Sequence, residues 1–291
     1  MTALHPGLRG RTRVAVLADD DRPALGALLA ADPIVNAVVS ARVRAAGTLR
    51  LRSLGGSVLG AREGGLLRGA CYHGGNLIPI GGEPASWDAL ASAIGQRPPV
   101  CTSLVGRADA VTAMWQVLAR RWGPPRAVRH RQPLLVLDPA DAPAAGAGDA
   151  GVRQARASDR DRYLAAAAAM FAEELGVSPN VSPGPVAFGA RVDELIRTGH
   201  AFAAFDFRGQ VIFKADLGAI TADTCQVQGV WVRPDLRGRG IATAALATVL
   251  RHALTLAPTV SLYVNDFNHA ARRVYAKLGM HEHAVLSTVL L

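Results

Sequence analysis

Apolar residues recur at three- and four-residue spacing through Ile241, Ala245, Leu246, Val249, Leu250, Ala253 and Leu254, the period of a helix that buries one face. Similar spacing predicts a helix after a Ser158 or Asp159 N-cap, ending at Gly176, and another over 189–199, closed by Gly199. Between the second and the 241–254 helix, three β-rich runs, 200–207, 210–220 and 225–232, are separated by short polar turns and predict an antiparallel meander. After it come a strand over 259–266, a helix over 268–279 and a hairpin-like stretch over 281–291.

The first half follows the same order of elements. Helices are predicted over 21–33 and 34–47, strands over 57–63, 66–74 and 76–82, and a helix over 84–95. A strand over 99–106, a helix over 107–123 and a strand over 129–138 complete it. Between the halves, "DPADAPAAGAGDAG" (138–151) replaces periodicity with Pro, Gly and Ala and predicts a flexible linker. A chain of 291 residues exceeds one ordinary core, so two domains are expected: 1–143, a linker at 144–151, and 152–291. Sequence identity between the halves is poor, so the repeat is one of element order, consistent with tandem duplication. The expected fold class is α/β (α+β), two tandem domains each with a mixed, mainly antiparallel sheet flanked by helices.

Composition narrows the partners. Half the residues are apolar and 19% are charged, a globular balance. The net charge of +9 is concentrated in residues 1–145, which carry 17 Arg/Lys against 10 Asp/Glu; only Lys214 and Lys277 are lysines. Aromatics at 5% supply no evident base-stacking platform, which argues against nucleic acid and leaves solvated arginine as the default. Cys71, Cys101 and Cys225 are odd in number and far apart, which fits a reducing, cytoplasmic setting better than a disulfide framework. No apolar run is long enough for a membrane span, and "VAVLA" (14–18) is too short for a signal segment. His281 and His283 share a strand face without a third ligand nearby, so no metal is expected.

The stretch "RPDLRGRGIATAAL" (233–246) sets three arginines and two glycines before a helix. The first amides of a helix lack intrahelical partners and carry the positive end of its dipole, so anions settle there. Gly238 and Gly240 keep side chains away from the amides of Arg237 through Ala242, while Arg237 and Arg239 add charge-assisted donors. The pattern suits a diphosphate; the plain alternative is a basic surface turn that caps a helix.

Two motifs in order make the second half resemble the GNAT superfamily of N-acetyltransferases. The pattern Arg/Gln-x-x-Gly-x-Gly/Ala is met by Arg237, Gly240 and Ala242, and Asn-x-x-Ala-x-x-x-Tyr by Asn268, Ala271 and Tyr275. The resemblance spans about 152–291 and is strongest over 228–280. It implies acetyl-CoA as cosubstrate, bound by Val230, Trp231 and Val232, by the 237–242 turn including Ile241, and by Asn268 and Ala271. The strand 229–232 would splay from 262–266, the pantetheine arm would bond the backbone of Val230 and Val232, and an amide nearby would polarise the acetyl carbonyl. Tyr275 would protonate the departing thiolate.

The family often places a glutamate base on the strand before the phosphate turn, where this chain has Gln226 and Gln228. Asp216, Glu173, Glu174, a water wire or an acceptor of low pKa are the alternatives, with Asp216 placed first because its strand should border the cleft. Glu173 and Glu174, beside the Pro-rich loop 176–189, could attract an amine, so the acceptor is a small metabolite, an amino acid or a peptide N-terminus. The missing glutamate keeps a second possibility open, a CoA-binding regulatory module without turnover. In the first half "IPIGGEP" (78–84) stands where a phosphate turn would be, and Glu83 would repel a diphosphate. That half is expected to be a degenerate GNAT-like domain that supports the second.

Overall fold

The computed structural model describes residues 12–144, 146, 148, 151–176 and 184–291. They form two compact units, one of residues up to Gln132 together with Ala284–Leu291, the other of Pro133–His283.

In the first unit the strands are β1 (Arg13–Val16), β2 (Gly56–Glu63), β3 (Leu66–Gly74), β4 (Leu77–Gly81) and β5 (Ser103–Arg107). The helices are α1 (Arg22–Ala30), α2 (Ala37–Ala46), α3 (Leu51–Leu54), α4 (Pro84–Ile94) and α5 (Ala108–Trp122). Neighbouring strands run antiparallel except β4 and β5, which are parallel. Alternation along the strands feeds two cores. Cys71 and Leu77 pack with α4 and α5 residues such as Leu90 and Met114, while Ala70, Tyr72 and Ile80 pack with Leu25 and Val39 of α1 and α2.

The second unit repeats the scheme with β7 (Arg153–Gln154), α6 (Arg160–Leu175), α7 (Pro185–Arg197), β8 (Ala201–Phe205), β9 (Val211–Ile220), β10 (Thr224–Val232), α8 (Ile241–Leu254), β11 (Thr259–Tyr263) and α9 (His269–Lys277). Among the described residues here only β10 and β11 are parallel. On β8, Phe202 and Ala204 join the core under α8 and α9, whereas Ala201 and Ala203 join the one under α6 and α7. The period of two divides the sheet's side chains between helical layers.

Each sheet is finished by a strand from the other half of the chain. β12 (His281–Leu290) lies antiparallel to β5, with Leu286 opposite Arg107, and so completes the first unit. β6 (Ala127–Leu137) places Leu134–Leu137 antiparallel to β11 and so completes the second. The chain therefore changes unit inside β6, ahead of the linker expected at 144–151, and returns inside β12. Residues 145, 147, 149 and 150 of that linker lie outside the described residues; Pro139–Asp141 form a single 3-10 turn.

The expected class, a mainly antiparallel mixed sheet flanked by helices in tandem, is the observed one. The final hairpin is not: 281–290 is one continuous strand, because its apolar alternation is spent against β5. β1 and α3 were not expected; four residues are too few to show a period. No helix among the described residues is long and apolar enough to cross a membrane.

Candidate functional site

β10 and β11 begin as paired neighbours and then part. Among the described residues their pairing is confined to Thr224–Gln226 against Thr259–Ser261, although both strands continue. β10 also breaks step with β9. Gln228 faces Asp216 and Trp231 faces Lys214, so Gly229 and Val230 oppose Ala215 alone in a β-bulge. Gly229 has φ +58°, and a Cβ there would lie 2.6 Å from Asp216 Oδ2 and 2.7 Å from Lys214 Nζ. Only glycine fits the bulge as it stands. Beyond it, Val230 and Val232 pack against the α8 core while Trp231 is buried in the α6 core.

β10 leads through a single turn, Pro234–Leu236, to α8. Gly240 caps that helix at φ +81°, and nothing lies within 4 Å of where a Cβ on Gly238 or Gly240 would stand. Among the described residues the amides of Gly238, Arg239, Gly240, Ile241 and Ala242 make no hydrogen bond within the protein. This is a cradle of free donors on a helix dipole, open enough for a diphosphate. The Arg237 amide, expected to belong to the set, instead donates to the Pro234 carbonyl at 3.3 Å.

The Arg237 guanidinium is engaged as well. It forks onto Glu173 at 2.5 and 2.8 Å and donates through Nε to the Val232 carbonyl at 3.0 Å. Glu173 Oε2 also accepts from Trp231 Nε1 at 3.3 Å. These donors hold the Glu173 carboxyl below its ordinary range, Arg237 contributing most. A carboxylate so occupied ties the turn before α8 to α6, which differs from the amine-attracting part expected of it. Arg239 reaches only the Asp235 carbonyl, at 3.3 Å.

On α9, Asn268 is the N-cap, its Oδ1 accepting from the Ala271 amide at 3.1 Å, so its visible work is to start the helix. Ala271 packs against the α8 core, and Tyr275 lies within it at 6% exposure. Burial, and after it the charge of Glu174, raises the phenol well above its ordinary value. Tyr275 therefore stays protonated across the physiological range.

Asp216 departs from what a general base requires. Its Oδ2 is 2.8 Å from Lys214 Nζ, and its Oδ1 accepts from the Tyr163 hydroxyl. Both oxygens are spoken for by a buried ammonium and a buried phenol. At the positions where a glutamate was sought, Gln228 Nε2 donates to Gln226 Oε1 at 2.8 Å, closing the pair on itself. The part of the substrate-facing loop over 177–183 lies outside the described residues.

Among the described residues the first unit lacks these features. β3 and β4 pair in continuous register, with Pro79 where the bulge would fall, and Trp87 Nε1 donates to the Gly81 carbonyl at 2.9 Å, filling the turn before α4. Elsewhere, Asp138, Asp141 and His281 bring one ligand atom each within 4.8 Å of one another, with Asp138 half-buried and the other two exposed.

Residues 184–280 match the acetyltransferase (GNAT) family, and residues 56–163 match a domain of unknown function (DUF4081). Among solved structures the chain is similar to a GCN5-related N-acetyltransferase from Sphaerobacter thermophilus, at TM-score 0.62 and 17% identity over 98% of this chain and 97% of that one. It is similar to a GNAT-family acetyltransferase from Colwellia psychrerythraea, at 0.55 and 15% over 96% and 100%. A tandem GNAT protein from the clavulanic acid biosynthesis pathway gives 0.51 and 16% over 96% and 98%. No curated protein sequence matches the chain. Residues 184–280 thus carry the match to the GNAT family, and the chain has the fold of tandem GNAT proteins, a fold that serves acyl transfer.

Proposed function

We propose that the protein is an N-acetyltransferase that moves the acetyl group of acetyl-CoA directly to a primary amine, a small metabolite, an amino acid or a peptide N-terminus. The observation that carries this is the cradle of unbonded amides at 238–242, next along the chain from the strand that parts from β11. The amides and the α8 dipole would take the diphosphate, and the backbone of Val230 and Val232 would hold the pantetheine arm in the opening. Trp231, Ile241 and Ala271 would shape the walls, and Arg239 would add charge at the mouth.

Chemically, the neutral amine attacks the carbonyl carbon, the C–S bond breaks, and the nitrogen sheds a proton while the sulfur gains one. Val230 N–H would steady the negative charge that grows on the carbonyl oxygen. Tyr275, kept protonated by its surroundings, would donate to the sulfur. The amine's proton would leave through Glu174, whose charge already reaches Tyr275, or through water. Asp216, fully engaged, fits a positioning task better than proton removal. With Trp87 in its turn and Glu83 ahead of α4, the first unit would bind no second CoA and would support the active half.

Titration calorimetry with acetyl-CoA, run beside a free-thiol release assay over an amine panel, tests this. Binding with amine-dependent thiol release is expected. Binding without release for every amine would leave a CoA-binding regulatory module instead, and absence of binding would defeat both.

A further inference from the structure

Lys214, one of the chain's two lysines, has a side chain that is 0% exposed. An ammonium taken out of water is costly unless its donors are matched. This one meets Asp216 Oδ2 at 2.8 Å, the Gly229 carbonyl at 3.0 Å and Met170 Sδ at 3.9 Å. The Tyr163 ring lies 5.3 Å from Nζ, and its hydroxyl donates to the second oxygen of Asp216. Tyr163 and Met170 lie seven residues apart on one face of α6, and Lys214 and Asp216 lie two apart on one face of β9. Replacing such a buried pair by apolar groups of equal volume is often neutral or stabilising, so stability alone does not account for it.

The partner that stands out is Gly229. Its carbonyl sits in the bulge, where the ladder to β9 is interrupted, and the lysine holds it there. A trans peptide points its C=O and N–H in opposite directions, so anchoring the Gly229 oxygen also sets the direction of the Val230 N–H. We infer that Lys214, with Asp216 and Tyr163 behind it, is a positioning device that locks the Gly229–Val230 peptide so that the Val230 amide is aimed at the acyl carbonyl. This rests on the acetyl-CoA reading above. Asp216 neutralises the ammonium and fixes its rotamer, and Tyr163 fixes Asp216. The three residues touch no substrate and act through the bulge.

The test needs no acceptor amine. Acetyl-CoA carrying 13C at the carbonyl is bound to the full-length protein, and its carbonyl resonance is compared with that of the free thioester. A polarising hydrogen bond moves it downfield. The wild type is expected to show that shift, and Lys214→Met combined with Asp216→Leu, which removes both charges and keeps the volume apolar, to lose most of it. Affinity for CoA without the acetyl group should stay unchanged. Tyr163→Phe, which deletes one donor and no packing, should give an intermediate shift. A folded double variant, or Tyr163→Phe, with the full wild-type shift would overturn the inference. So would wild-type binding with no downfield movement, whereas failure of the wild type to bind acetyl-CoA would sink the reading beneath it.

Discussion

Gly240→Asp isolates the electrostatics of the cradle from its shape. Gly240 sits at φ +81° with nothing within 4 Å of an added Cβ, so the free protein can accept the side chain. The left-handed conformation costs a non-glycine residue about 1–2 kcal/mol, with Asp among the more tolerant. A carboxylate beside the start of α8 recovers some 0.3–1 kcal/mol from the helix dipole, so the net loss of stability should be less than about 2 kcal/mol. Bound cofactor changes the balance. One negative charge about 5 Å from a diphosphate bearing two, at an effective dielectric of roughly 40–80, is repelled by about 2–3 kcal/mol. That corresponds to a loss of affinity of about 30- to 150-fold. Gly240→Asn carries nearly the same shape without charge and should keep most of the affinity. Calorimetric titration with acetyl-CoA, alongside urea melts, reads both quantities, and the gap between the variants should narrow as salt rises. Wild-type affinity in the aspartate variant would refute the placement of the diphosphate, and an equal loss in the asparagine variant would refute the electrostatic account.

Tyr275→Phe should lower turnover on the order of 10²-fold with little change in CoA affinity, as expected for loss of a general acid; steady-state kinetics over two substrates decide it. Asp159 is 3% exposed and accepts from Arg153 at 2.7 and 3.1 Å, from Arg162 at 3.1 Å and from the Arg156 amide at 2.8 Å, which together hold its carboxyl below the ordinary range, Arg153 foremost. A carboxyl depressed in the folded state stabilises it above the unfolded value of about 4 and ceases to do so as pH falls through the folded value, so Asp159→Asn should flatten the acid limb of a urea-melt series below about pH 5. Cys71, Cys101 and Cys225 are all buried, and burial pushes the Cys225 thiol up to about 12, so Ellman's reagent should find three thiols only after denaturation. Residues 152–291 expressed alone lack Leu134–Leu137 beside β11, and size-exclusion chromatography should show them aggregated where the whole chain is not.

Much of this architecture is written locally. The period of α8 and the glycine at its cap need only neighbours in sequence to be recognised, as does the alternation of β8 to β10. The glycine-lined start of α8 was legible for the same reason, since unbonded amides follow from any helix start kept clear of side chains. What stayed hidden depends on residues far apart in the chain. Asp216 looked available on its strand, because nothing nearby announces that Tyr163, 53 residues earlier, takes one of its oxygens. Glu173 likewise meets Arg237 across 64 residues. One signal was there to be used: Lys214 stands at an inward position of β9, two residues before an aspartate, in a chain nearly devoid of lysine. The bulge at Gly229 carries no such mark, since one extra residue in a strand leaves the composition unaltered.

The exchanged last strands bear on how the protein is made. During synthesis the first unit leaves the ribosome with β5 exposed at the margin of its sheet, and the segment that covers it, 284–290, is translated only after the whole second unit, Pro133–His283. Nascent chains must hold that margin apart from other chains until β12 arrives. A premature stop between the linker and β12 would therefore leave the opposite half unfinished, so that loss of β12 is felt in the fold of the first unit.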